Sequence, residues 1–277
     1  MRRLLAVPAL VLSLLSLAFA FAPPARAATT PPGVNIRWDH CYDDGGALNK
    51  TFACDTNSGS ERIVCSLALD QPTIGISGCE IYVDLGAQSA TLPAWWQLRN
   101  AGLCRTTALS FQTIPPAGSV NCLDWSSGYA VGGLAAYYVG YHGPNTARIV
   151  AVAAVPPDAL ASFAAGPEYF VCAFQIQHAK TVGTGSCAGC DVPVCIFLSR
   201  TTVTFADNTL PSLQLEQGAN GLTSQYVTWQ NGVPINIQRQ CDFPVEYCSR
   251  HYTSFDCVAG ITPTHRSRWG AVKALYR

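Results

Sequence analysis

Cys79-Glu80-Ile81-Tyr82-Val83-Asp84-Leu85 alternates apolar and polar residues without a break. A period of two is the period of a β-strand, whose successive side chains point to opposite faces. Cys79, Ile81, Val83 and Leu85 therefore share one face, and Glu80, Tyr82 and Asp84 share the other. Such a strand is expected to have one side in a core and one in water. The pattern recurs on both sides of this segment. Val34, Ile36 and Trp38 alternate with Asn35 and Arg37, and Ile63, Cys65, Leu67 and Leu69 line a single face. Phe170, Cys172, Phe174 and Ile176 stand opposite Gln175 and Gln177. Residues 108–112, 147–155, 194–205 and 225–230 are further strand candidates, with Gly and Pro in the gaps between them.

Helical signals are few. Residues 93–100 and 157–163 each open on a proline, at a position that suits a first helical turn, and predict two short helices. Strands and helices do not alternate, which argues against a parallel α/β sheet. The expected fold is mainly β: an antiparallel β-sandwich of immunoglobulin-like or cohesin-like type, with disulfide-pinned loops and one or two short helices.

The chain has 277 residues, of which 49% are hydrophobic and only 12% charged. Residues 1–27 read as a secretory signal. Arg2 and Arg3 precede an apolar run, and Ala25-Arg26-Ala27 is an A-x-A cleavage site. No later stretch reaches the roughly 18 apolar residues of a spanning helix, so no transmembrane segment is expected after cleavage. The expected organisation continues with a flexible leader at 28–33 and a sandwich at 34–232. A Cys-rich hairpin or loop follows at 233–258, then a tail at 259–277. The tail carries Arg266, Arg268, Lys273 and Arg277 without an acid, while the body is acidic. That balance does not fit a nucleic-acid protein.

All thirteen cysteines follow the signal. In an oxidising compartment most should pair, and the odd count leaves one over. Cys41 and Cys54 bracket a polar loop, and Cys104 and Cys122 a Pro/Gly-rich connection, so local closure is expected of both. A hairpin of 63–69 with 79–85 would hold Cys65 and Cys79 too far apart to bond. One pair among Cys65, Cys79 and Cys172, plus one buried thiol, accounts for the odd number. Cys187, Cys190 and Cys195 form the densest cluster. The leading expectation there is a disulfide within the cluster whose third sulfur reaches elsewhere. A metal site completed by His178 and a C-x-x-C redox site are the alternatives. Cys241, Cys248 and Cys257 are the remaining disulfide candidates.

Chemistry is sparse. Asp55, Asn57 and Glu61 place side-chain oxygens at intervals around a glycine, a partial calcium loop without the full ligand set. The alternative is an Asn/Gly turn, and no cofactor is otherwise expected. Trp95, Trp96 and Trp125 are candidates for an exposed aromatic platform, because adjacent tryptophans in a strand or short helix are not expected both to bury fully on one face. The sequence contains neither H-E-x-x-H nor G-x-S-x-G, and no residue stands out as catalytic.

Several stretches carry a resemblance: Leu92-Pro-Ala-Trp-Trp96, Cys104-Arg105, the run from Gly183 through Cys190 to Cys195, Thr228-Trp-Gln230, and Trp269 to Arg277. Together they resemble a group of uncharacterised secreted cysteine-rich bacterial proteins. The segment holding Cys241, Cys248 and Cys257 is additional to that pattern. A looser likeness joins the chain to cohesin-type and carbohydrate-binding sandwiches. The expected function is a secreted, non-enzymatic surface protein, structural or binding, with a glycan or a cell-surface protein as partner. The alternative is a secreted hydrolase whose site no motif reveals.

Overall fold

A computed structural model describes residues 30–99, 104–116, 121–239 and 252–260. The expected signal at 1–27, Cys241, Cys248 and nearly all of the basic tail lie outside these residues. In chain order the first strands are β1 (Gly33–Trp38), β2 (Asn49–Lys50), β3 (Ser60–Ala68), β4 (Thr73–Ala87), β5 (Leu109–Gln112) and β6 (Leu123–Asp124). Next come β7 (Val131–Val139), β8 (Thr146–Ala154), β9 (Ala161–Phe163), β10 (Glu168–Gln177) and β11 (Val194–Phe205). The last are β12 (Leu213–Leu215), β13 (Ala219–Gly221), β14 (Tyr226–Trp229), β15 (Gly232–Arg239) and β16 (Tyr252–Ala259). Half of the chain, 50%, is strand.

The strands form a two-sheet sandwich. The smaller sheet has five strands in the order β1–β3–β10–β5, with β6 added in parallel to β10. The larger has eight, ordered β2–β14–β11–β4–β8–β7, with β9 beside β4 and β12 beside β11. Pairing is antiparallel except for β6 with β10 and β2 with β14. The core lies between the sheets, where Ile36, Ile63 and Leu67 of one meet Ile81, Val83, Ile149 and Leu198 of the other. The sequence treats 63–69 and 79–85 as possible halves of one hairpin. They belong instead to β3 and β4, in opposite sheets. The two expected helices shrink to single 3₁₀ turns, Ala94–Trp96 and Pro157–Ala159, and β9 follows the second.

The smaller sheet departs from one-sided burial. All six residues of β1 are buried, including Asn35 and Arg37. A layer of loops covers its outer side. Glu168 organises that layer, accepting hydrogen bonds from the Tyr42 and Asp43 backbone N–H groups at 2.9 Å each, from Asn35 Nδ2 at 3.4 Å, and from the Ser66 hydroxyl. The Cys41–Cys122 disulfide packs on Val64, Phe170 and Ala173 in the same layer. Thr30 is also tied down: it is buried, its N–H bonds the Gly166 carbonyl at 3.0 Å, and its hydroxyl donates to Asp43.

The other disulfides are Cys54–Cys190, Cys104–Cys187 and Cys195–Cys257. The local closures Cys41–Cys54 and Cys104–Cys122 do not form, because each of these cysteines meets a partner distant in sequence. Within 187–195 each sulfur likewise bonds outside the cluster. This removes the intra-cluster bond, the C-x-x-C redox pair and the thiolate metal site together. Cys65, Cys79 and Cys172 are buried and lie outside these four bonds. Cys195–Cys257 fastens the separate β15–β16 hairpin onto the outer side of the larger sheet, where Phe255 sits 4.3 Å from Phe197. Gly86 makes room for that ring, since a Cβ there would come within 2.9 Å of it.

Candidate ligand-binding face

The hairpin roofs the β11–β14 side of the larger sheet and the Gly86 end of β4. Among the described residues the rest of the outer side of β4, β8 and β7 is open, and cross-strand register aligns its side chains. Asp84 of β4 pairs with Arg148 of β8, which pairs with Tyr138 of β7. One register step on, Tyr82 pairs with Val150 and Arg200. Tyr141 reaches in from the turn after β7, with its ring centroid 6.2 Å from that of Tyr138.

The Arg148 guanidinium lies 3.9 Å from the Tyr141 ring and 5.8 Å from the Tyr82 ring, and Arg200 lies 4.1 Å over Tyr82 from the other side. The result is a row across the sheet: Tyr138, Tyr141, Arg148, Tyr82, Arg200. Tyr138 and Tyr141 are 53% and 48% exposed. Cation–π contact holds guanidinium and ring face to face, and the central Arg148 side chain is 16% exposed.

Asp84 anchors the row from beneath. Its two carboxylate oxygens accept from Arg148 Nε and Nη2 at 2.7 Å each, a bidentate pair. His142 Nε2 stands 3.6 Å from Asp84 and 3.3 Å from Arg148 Nη2. Burial alone would raise the Asp84 carboxyl, but hydrogen bonds and charge from Arg148 and His142 outweigh it and hold the group below its ordinary range. Burial likewise pulls the Arg148 guanidinium down, and Asp84 more than restores it. At neutral pH both partners are therefore charged and locked.

The tryptophans lie elsewhere. Trp95 and Trp96 are 0% exposed and Trp125 is 3% exposed, so none offers a platform. The 3₁₀ turn explains how two neighbours bury together. Successive residues there are about 120° apart instead of the 180° of a strand, so both rings enter one pocket. Trp95 stacks on Trp229 at 5.3 Å, and Trp96 meets Trp229 edge-on at 5.7 Å. Arg105 closes the pocket with its guanidinium 3.6 Å from the Trp95 ring, donating to the carbonyls of Trp95, Ala179 and Gln177. Trp125 packs beside Phe163 at 6.1 Å.

The partial calcium loop is spent on protein contacts. Asn57 Oδ1 accepts from the Thr181 and Val182 N–H groups at 2.7 and 3.0 Å. Glu61 pairs with Lys50 at 2.7 Å and with His178 at 3.1 Å, and Asp55 is not brought to either of them by any bond in the structure. His178 bonds the Ser58 carbonyl at 2.7 Å through its other nitrogen and stacks on Phe52. Among the described residues no group of three or more His, Cys, Asp or Glu is arranged to hold a metal ion.

A cleft of about 380 Å³ gathers Asp43, Asp44, Glu168 and Asn121 beside the Cys41–Cys122 bond. Its carboxylates already serve the loop layer: Asp44 accepts from the Asn121 N–H and Nδ2 at 3.1 and 2.6 Å, and Asp43 from Thr30. A second cleft, about 480 Å³, is lined mainly by apolar side chains including Leu69, Phe205, Leu210 and Leu213.

Sequence reasoning located Glu80, Tyr82 and Asp84 on an outward face but sought aromatics in the tryptophans. Tyr138 and Tyr141 went unread because β7 carries Gly132, Gly133, Ala135 and Ala136, which blur its alternation. No helix among the described residues is long and apolar enough to cross a membrane. The four disulfides among the described residues suit an oxidising, extracellular setting. Comparison with protein-family models and with curated proteins finds no match.

Proposed function

We propose that this chain is a secreted, non-enzymatic β-sandwich protein that binds a glycan through the open outer side of its larger sheet. The row Tyr138–Tyr141–Arg148–Tyr82–Arg200 carries this reading. Aromatic faces accept the C–H faces of sugar rings, and guanidinium groups supply planar donors for hydroxyls or carboxylates. The row spans several strands, which suits an extended chain of sugars better than a small molecule that a pocket must enclose. The Asp84–Arg148 pair fixes the central donor in advance, so little side-chain freedom is lost on binding.

Co-sedimentation of the purified protein with insoluble cellulose, chitin and peptidoglycan tests the reading. The wild type should be retained by at least one of them. The Tyr138→Ala, Tyr141→Ala double variant should bind about tenfold more weakly, a loss of about 1.4 kcal/mol, with an unchanged melting temperature. Retention that is equal in wild type and variant, or absent in both, overturns the proposal. Release of soluble sugars from the polymer would support a hydrolase instead.

A further inference from the structure

Among the described residues, the centre of the sandwich holds three cysteines outside the four disulfides: Cys65 on β3, Cys172 on β10 and Cys79 on β4. Cys65 and Cys172 are 0% exposed and Cys79 is 1% exposed. All three face the shared core. Cys65 and Cys172 are direct cross-strand partners, and a bulge makes them so. Phe170 pairs with Ser66, and the next paired residue is Cys172, opposite Cys65. Without the extra residue Val171 would occupy that position, and Cys172 would turn to the other side of the sheet.

Directly opposed residues of an antiparallel pair have Cα atoms about 4.5–5.5 Å apart. A disulfide spans about 4.4–6.8 Å between Cα atoms. The pair Cys65 and Cys172 meets that requirement without backbone movement. Cys79 belongs to the facing sheet, and packed sheets stand about 10 Å apart. Its own cross-strand partners are Val203 and Ala153, so it shares a register position with neither thiol.

We propose that Cys65 and Cys172 are oxidised to a further disulfide in the secreted protein, and that Cys79 stays a thiol. The chemistry is thiol–disulfide exchange. Two thiols lose two protons and two electrons, and one S–S bond forms. The disulfide of an oxidoreductase in the secretory compartment accepts them and is reduced to two thiols. Burial sets the timing: the oxidant reaches these sulfurs only before the larger sheet closes over them. A folded molecule then keeps the state in which it folded.

The test uses the full chain, secreted through an oxidising compartment. The protein is alkylated with iodoacetamide in denaturant without reductant. Digestion then combines trypsin with a protease that cuts before aspartate. Cleavage at Arg62, Asp70, Asp84, Asp158 and Lys180 puts Cys65, Cys79 and Cys172 on three separate peptides. Mass spectrometry should find peptides 63–69 and 158–180 joined, two hydrogens lighter than their sum, and 70–83 alkylated. The bond should persist in Cys79→Ala. In Cys65→Ala, Cys172 should become alkylated. Alkylation of both Cys65 and Cys172 in the wild type overturns the proposal, as does a bond from Cys79 to either.

Discussion

The outer sides of the two sheets are treated in opposite ways. On the smaller sheet the outward residues Asn35 and Ser66 are buried beneath loops that converge on Glu168. On the larger sheet Tyr138 and Val152 stay exposed, as does Tyr141 in the turn after β7, while the β11–β14 side and the Gly86 end of β4 are roofed. Both sheets show polar residues at alternate positions, so alternation reports which residues share a side and not what that side meets. A polar residue pointing away from the core satisfies its hydrogen bonds with water or with a second protein layer, and these outcomes are written far apart in the chain.

The sharpest way to break this contrast is Glu168→Ala. It leaves the Tyr42 and Asp43 N–H groups and the Ser66 hydroxyl without their buried acceptor. With several buried donors left unsatisfied at about 1–3 kcal/mol each, the expected cost is about 3–5 kcal/mol. That corresponds to a fall of roughly 6–20 °C in melting temperature for a domain of this size. A fall of only a degree or two would mean that the loops do not depend on this carboxylate.

Next in size is the Cys41→Ser, Cys122→Ser double variant, which cuts the same layer at its disulfide. It should lose about 2–4 kcal/mol. Limited proteolysis should then cut within residues 39–48 first. Cleavage that begins elsewhere, with this loop still resistant, would show that the strap is not what holds the layer.

On the open side the largest stability effect should come from Asp84→Asn, about 2 kcal/mol near neutral pH, since it leaves Arg148 without its carboxylate. The pH dependence has a definite sign. The folded carboxyl is held below its ordinary value. Its contribution is therefore complete above the unfolded carboxylate pKa of about 3.9. It is lost as pH falls through the folded value. Wild type and variant should converge in acid and separate towards neutrality, as followed by urea unfolding across that range. A constant gap at every pH would contradict this account.

The smallest effect on stability belongs to Tyr138→Ala. An exposed ring on an open sheet should change stability by no more than about 0.5 kcal/mol. Glycan retention should nonetheless fall. If instead the variant unfolds readily, Tyr138 is a packing residue and the two sheets differ less than described.

Much of the fold was legible in the sequence. The segments at 34–38, 63–69, 79–85 and 194–205 all became strands, because their β-branched and apolar residues repeat with the period of a pleated sheet. β7 was not legible, since its glycines and alanines carry little periodic contrast. The candidate site was legible only in part. Tyr82 was placed on an outward side, whereas its neighbours Tyr138, Arg148 and Arg200 come from β7, β8 and β11 and meet it only through sheet register.

The sequence by itself determined that the chain is mostly strand, with cysteines suited to an oxidising compartment, because those properties reside in local period and composition. Tertiary structure alone decided which cysteines meet, how Trp95 and Trp96 bury together, and which sheet keeps an open side. Cys54 bonds Cys190 and Cys104 bonds Cys187 because the folded sheets bring their loops together, at sequence separations of 136 and 83. Spacing along the chain holds no record of that approach. Proximity between distant segments is set by packing the whole core at once, whereas strand period is set residue by residue.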